Sequence, residues 1–142
     1  MKEEANVAGW DQATLDAAVR EREIELTTWG RTTGKPTQVI LWIWGDGTRL
    51  YMRSGGGMGR DWPRNIIAGG RGILHLAGRD ILVRARHVTD AAEARAGAAM
   101  VDRKYETANK PSAAGEPLSS AEQATFELTP DDALIPSATC LA

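Results

Sequence analysis

One cysteine, one phenylalanine, two tyrosines and two histidines in 142 residues remove several chemistries at once. The lone Cys140 cannot close an internal disulfide or build a cysteine-cluster metal site, which fits a reducing compartment. His75 and His87 stand in no spacing that pairs either with a second ligand, and both read as structural histidines. Asp131 and Asp132 do not resemble a metal pair, so no metal site is expected. No Ser-His-Asp or Cys-His arrangement stands out, and the acid–base inventory for hydrolysis is thin. Basic charge is also lacking. With 17 Lys and Arg against 19 Asp and Glu, the net charge of −2 offers neither the excess nor the stripe of a nucleic-acid binder. No apolar run approaches the about 20 residues of a membrane span. The polar, acidic start from Met1 to Val7 is no secretory signal, so a cytoplasmic location is expected.

What remains is an ordinary globular composition, 42% hydrophobic and 25% charged, which suits one domain with its core at about residues 10–130. Leu15, Ala18 and Val19 recur at helical spacing within 10–22, with Asp11 as a possible N-cap. Residues 23–28 alternate, as a half-buried strand does. After a Gly- and Thr-rich loop at 29–37, the run 38–44 is apolar on both faces and predicts a buried central strand. Gly45-Asp46-Gly47 then turns the chain into a strand over 49–54. A glycine loop at 55–59 leads to a short helix near 61–68, stopped by Gly69-Gly70. Strands at 73–77 and 80–88 form a hairpin closed by Gly78-Arg79. Asp90 caps a helix over 91–105, residues 109–120 make a loop, and 123–129 form a last strand. Hairpin-linked strands, about six in number, predict a mainly β fold: an antiparallel sheet closed into a small barrel with short flanking helices.

Two loops carry candidate chemistry. In the first, Gly30 and Gly34 allow a tight turn that exposes backbone amides. Arg31, Lys35, Thr32 and Thr33 add charge and hydroxyl donors suited to a phosphate. A solvated surface turn is the competing reading. A nucleotide-triphosphate P-loop is excluded, because the glycine spacing is one residue short and Pro36 stands where a hydroxyl is needed. In the second, Ser54, Gly55, Gly56, Gly57 and Gly59 permit close backbone approach to a ligand at a helix start, against the alternative of a plain linker. It lacks the pattern and the βαβ setting of a dinucleotide fold. Trp42 and Trp44 point to one face of their strand, as core, interface or the wall of a planar ligand.

The runs TTWGRTTGKP, VILWIW, LYMRSGGG, DWPRNIIA and RARHVTD, in this order, resemble the deazaflavin-dependent nitroreductases. These belong to the split β-barrel superfamily that also holds the FMN-binding pyridoxamine-phosphate oxidases. The resemblance implies a six-stranded split barrel, a homodimer, and a deazaflavin coenzyme (F-420) or FMN in a groove where barrels meet. It implies that Thr28, Gly30, Arg31, Thr33 and Gly34 hold the cofactor phosphate. It further implies that Val39, Leu41 and Trp42 line the ring, and that Ser54, Gly55, Gly56, Trp62 and Asn65 complete the site. Thr37, Ile40 and Pro63 replace residues common in the family at those positions. The expected activity is hydride transfer to a small quinone, nitro or enone acceptor, with a non-catalytic flavin- or lipophile-binding protein as the alternative. A cofactor would carry the chemistry, and no catalytic side chain is singled out.

Overall fold

The computed structural model describes residues 9–105 and 111–131. Met1 to Val7, Asn109, Asp132 and Cys140 lie outside the described residues. The chain runs α1 (Gln12–Arg20), β1 (Ile24–Trp29), β2 (Pro36–Gly45), β3 (Leu50–Arg53), α2 (Asp61–Gly69), β4 (Arg71–Leu76), β5 (Arg79–His87), α3 (Ala91–Tyr105), α4 (Ser120–Gln123) and β6 (Thr125–Pro130), with a single 3-10 turn at Gly57–Gly59. The six strands close into an antiparallel barrel in the order β1-β2-β3-β6-β5-β4, as the alternation and hairpin signals predict.

Strand periodicity decides what faces where. Leu41 and Ile43 of β2 point inward with Leu26, Leu50, Met52, Leu74, Val83, Phe126 and Leu128, filling the barrel with branched and aromatic side chains. Full burial of such a residue stabilises the fold by about 1.5–3 kcal/mol. The opposite face of β2 carries Trp42 and Trp44, confirming that the two indoles share a side. There they meet α3: Trp44 packs with Tyr51, Ala94 and Val101, and Trp42 stacks on Tyr105 with ring centroids 4.1 Å apart. Gly97 lets the helix approach, since a Cβ there would lie 3.1 Å from Trp44.

The end of α3 ties the outer layer together. Lys104 Nζ donates to the carbonyls of Ala18, Glu21 and Ile43 at 2.6–2.7 Å, so one ammonium closes the C-terminus of α1 against β2. Burial, with the Arg22 charge adding, pulls this ammonium down to about 8 while Glu21 opposes. It therefore still carries its proton at neutral pH. Tyr105 Oη donates its one proton to the Arg22 carbonyl at 2.7 Å, with the Ile43 carbonyl also within reach at 3.1 Å, and accepts from the Ile43 amide.

Several expected boundaries move for local reasons. The predicted 45–47 turn lies one residue later, because Asp46 Oδ1 accepts from the amides of Thr48 and Arg49 and only Gly47 takes a positive φ, 102°. The β4–β5 turn is Ala77-Gly78 rather than Gly78-Arg79. Both residues have positive φ (56° and 76°), which hides the turn behind an alanine. The expected loop before the last strand contains α4, whose capping box has Ser119 and Glu122 each bonding the other's backbone. Asp11 and Asp90 act as caps as predicted, accepting from the amides of Thr14 and Glu93. His87 stacks on Phe126 and bonds the Gln123 carbonyl, a structural role.

Two predictions concern the outer layer. The Arg86 guanidinium, against burial and with Tyr51 adding, holds the Glu93 carboxyl below its ordinary 4.5. A carboxyl depressed in the fold contributes stability that is complete above its unfolded value and lost as pH falls through its folded one. Glu93→Gln should therefore cost about 1 kcal/mol at neutral pH and flatten the acid limb of the stability curve below pH 4.5. Urea titrations across pH check this, and parallel acid limbs for the two proteins would refute it. At Gly97, alanine gains about 1 kcal/mol of helix propensity against a tight contact and should be nearly neutral. Leucine should overpack Trp44 and cost about 1–3 kcal/mol. Equal urea midpoints for the wild type and Gly97→Leu would contradict this packing.

Candidate functional site

The loop between β1 and β2 is built by its glycines. Gly34 takes φ +73°, and a Cβ on Gly30 would lie 2.6 Å from Thr33 Oγ1. Its amides are mostly consumed internally, a correction to the reading that the glycines expose them. Gly30 N donates to Lys35 O, Gly34 N to Gly30 O, and Lys35 N to Thr33 Oγ1. Arg31 N donates to Asn65 Oδ1 at 3.1 Å, and the Arg31 guanidinium reaches the same oxygen at 2.8 Å. What the loop offers a ligand is therefore mainly side chains, the Arg31 cation and threonine hydroxyls, beside the amides of Thr32 and Thr33. Asp61, at the start of α2 and 83% exposed, lies 3.5 Å from Arg31 and competes for it.

Helix α2 follows the glycine loop and, with its N-cap Arg60, places three residues between the two candidate loops. Trp62 is buried against the barrel core beside Phe126. Asn65, on the same buried side, grips the Arg31 loop. Arg60 lays its stem on Gly56, where a Cβ would come within 2.9 Å of it. Gly70, left-handed at φ 74°, ends the helix as the Gly69-Gly70 pair predicts.

Two grooves adjoin across Arg60 and Trp62, which line both. The first, about 490 Å³, is bounded by Thr28, Arg31, Thr32 and Thr33 of the loop, by Val39, and by Asn65. The second, about 380 Å³, is bounded by Ile40, Leu41 and Trp42 of β2 and by Arg53, Ser54, Gly55 and Gly56. Of the residues expected at a site, Arg31, Thr32, Thr33, Val39 and Asn65 thus border one groove, and Leu41, Trp42, Ser54, Gly55 and Gly56 the other. Trp62 borders both. Gly34 and Lys35 line neither; Gly34 shapes the loop, and Lys35 is exposed beyond it.

Each groove has an orphaned hydroxyl in its wall. Thr28 Oγ1 in the first and Ser54 Oγ in the second are buried without a hydrogen-bond partner among the described residues. An unsatisfied buried hydroxyl is costly, about 1–3 kcal/mol, and marks a place where a ligand or water belongs.

Sequence reasoning missed Arg53, Arg60 and Asp61. Arg53 precedes Ser54 on an alternating strand and reads as an ordinary outward cation. It is 7% exposed, and Ala121 of the unforeseen α4 borders the same groove. Burial lowers its pKa and the nearby Glu122 carboxylate opposes that. Burial would raise Glu122 itself, but the amides of Ser119 and Ser112 hold its pKa below the ordinary value.

Elsewhere, His75 bridges Thr27 Oγ1 and Asp80 Oδ1, at 2.7 Å each, on the outer face of β1 and β4. This Thr-His-Asp chain was not foreseen from spacing, and it borders neither groove. Among the described residues, no group of three or more His, Cys, Asp or Glu is placed to hold a metal ion, and no helix is long and apolar enough to cross a membrane.

No protein-family model matches the sequence, and no curated protein matches it. Solved structures do. An F420 reductase superposes with a TM-score of 0.56 at 19% identity over 86% of this chain and 96% of the other. An FAD-binding protein from Mesorhizobium loti gives 0.57 at 19% identity, over 86% and 90%. A protein assigned to 5-nitroimidazole antibiotic resistance in Bacteroides thetaiotaomicron gives 0.61 at 13% identity, over 86% and 80%. At such identities the likeness establishes architecture alone, and the chain has the split β-barrel fold found in these proteins.

Proposed function

We propose that the two adjoining grooves bind one flavin-type cofactor, a deazaflavin coenzyme (F-420) or FMN, and that the protein is an oxidoreductase acting on a small electrophilic acceptor of the quinone, nitro or enone type. One observation carries the reading: a loop with an arginine and threonine hydroxyls opens onto a groove that continues past Trp62 into a second one walled by Ile40 and Trp42 as well as by Arg53 and Ser54, each with a hydroxyl in its wall that has no partner among the described residues. The residues fit such a group. An anionic tail suits Arg31, Thr32, Thr33 and Thr28, whereas a planar ring suits Val39, Leu41, Trp42 and Trp62. Groove volumes of 490 and 380 Å³ fall in the range of small-molecule sites. F420 and FAD in the names of two fold neighbours support this ligand class.

When bound, the ring supplies hydride chemistry. The protein's own part is positional. Asn65 holds Arg31 in place for the tail, Trp62 fixes the floor between the grooves, and the β2 strand, with Ile40 and Trp42 on its outer face, excludes water from one side. Ile40, an isoleucine 64% exposed beside half-buried Trp42, supports a homodimer in which a second barrel covers this edge of the groove. A second reading, cofactor binding without turnover, is favoured by the Arg31–Asp61 pair and by the absence of His, Tyr or Cys from the residues lining the two grooves.

Fluorescence titration with FMN and with F-420 should give saturable binding of at least one of them. Arg31→Ala should weaken it tenfold or more, the loss of a charge-assisted bond worth about 1.5–3 kcal/mol. Asn65→Ala should weaken it by a smaller factor, because Arg31 stays but loses its support. No saturable binding of either cofactor would sink the proposal, whereas tight binding without turnover of quinones, nitroarenes and enones would select the second reading.

A further inference from the structure

Arg53 lies on the outer face of β3, opposite Trp42 on β2 and Thr125 on β6, under the short helix α4. It is 7% exposed, yet it makes no hydrogen bond or ion pair with any described residue. Its only described electrostatic partner is Glu122, which acts at longer range and is already engaged by the amides of Ser112 and Ser119. A guanidinium carries five donors; those of Arg53 are not among the fully buried unpartnered atoms, so they keep access to the groove while no described residue accepts from them. Next to it Ser54, 3% exposed, has a hydroxyl without a partner. Both residues wall the same groove, and Arg60 stands on its rim.

We infer that Arg53, Ser54 and Arg60 form an oxyanion subsite, distinct from the Arg31 loop, that takes the carboxylate or phosphate of a ligand whose planar apolar body lies between Trp42, Trp62 and Ile40. The guanidinium fork matches an oxyanion bidentately and the Ser54 hydroxyl donates beside it. The apolar walls accept an aromatic or conjugated body. Resting on the redox reading only for the identity of the bound molecule, this assigns the groove to an anionic conjugated acceptor or to a cofactor phosphate; the shared chemistry is a planar body bearing one oxyanion.

The test follows tryptophan fluorescence of the full chain, since Trp42 and Trp62 line the groove. Benzoate and inorganic phosphate are titrated separately at constant ionic strength. Saturable quenching by benzoate, with phosphate competing, is expected. Arg53→Met should weaken benzoate at least tenfold while leaving the urea midpoint unchanged or higher, because the variant removes an unpaired buried charge. Ser54→Ala should weaken it severalfold, Arg53→Lys should fall between, and Arg31→Ala should have no effect. If FMN displaces benzoate and also loses affinity in Arg53→Met, the oxyanion is the cofactor's own. If both bind together, it belongs to the acceptor. Benzoate saturation without any cofactor binding would leave the subsite standing and remove the redox reading. Cofactor binding with no saturable response to benzoate or phosphate would do the reverse. Folded Arg53→Met and Ser54→Ala proteins that bind benzoate as the wild type does would overturn the inference.

Discussion

The candidate site depends on Trp62 being sunk into the barrel core. That burial, with Ile66 one turn further on in the same core, anchors helix α2, and the helix then delivers the rest: Asn65 to the Arg31 loop, Arg60 to the wall shared by both grooves, and Asp61 to the Arg31 guanidinium. Without it, the β1–β2 loop and the glycine loop would be separate surface turns of a barrel that could fold without them. Burial of an indole, about 150–250 Å² of mostly apolar area, is far larger than any one polar contact in either loop. The polar geometry is therefore set by packing and not the other way round.

Much of the fold was legible because strands and hairpins write themselves into local alternation. The face shared by Trp42 and Trp44 and the capping aspartates Asp11 and Asp90 follow from two or three residues at fixed spacing, whereas a run apolar on both faces did not tell which face, that of Leu41 and Ile43, turns into the barrel. What was not legible depends on distant coverage. Arg53 looks solvent-facing on its strand, yet it is buried in a groove that Ala121, more than sixty residues later, also borders. The signal for α4 was present, Ser119 followed by Glu122, but a segment rich in Pro, Gly and Ser masked it. The Ala77-Gly78 turn escaped because alanine at positive φ contradicts local preference, and tertiary pairing of β4 with β5 overrides it.

The charges of the two grooves follow one pattern with different consequences. Each has a cation with a carboxylate in the neighbourhood: Arg31 with Asp61, Arg53 with Glu122. Asp61 is exposed, so its hold on Arg31 is screened by water and gives way readily to a ligand with more than one anionic oxygen. Glu122 is buried and committed to backbone amides, so it can neither move toward Arg53 nor be displaced. It offsets part of the field of the guanidinium while leaving its donors free. One groove therefore presents a cation that must exchange partners, and the other presents one that has no partner to exchange.

That difference bears on what the grooves can bind. A cation largely withdrawn from bulk water in the folded chain gives up less hydration on binding than an exposed one. A site whose cation sits in an exposed pair keeps its water and binds a multiply charged group better than a single one. The Arg31 groove is thereby suited to a phosphate and the Arg53 groove to a single oxyanion on a flat apolar body. Trp62 borders both grooves. A barrel that only needed to be stable would gain by replacing Arg53 with an apolar residue of similar volume, since breaking no pair, the exchange would remove an unfavourable charge. The persistence of a buried, unpaired arginine beside an unpaired serine is most simply accounted for by a ligand that completes them.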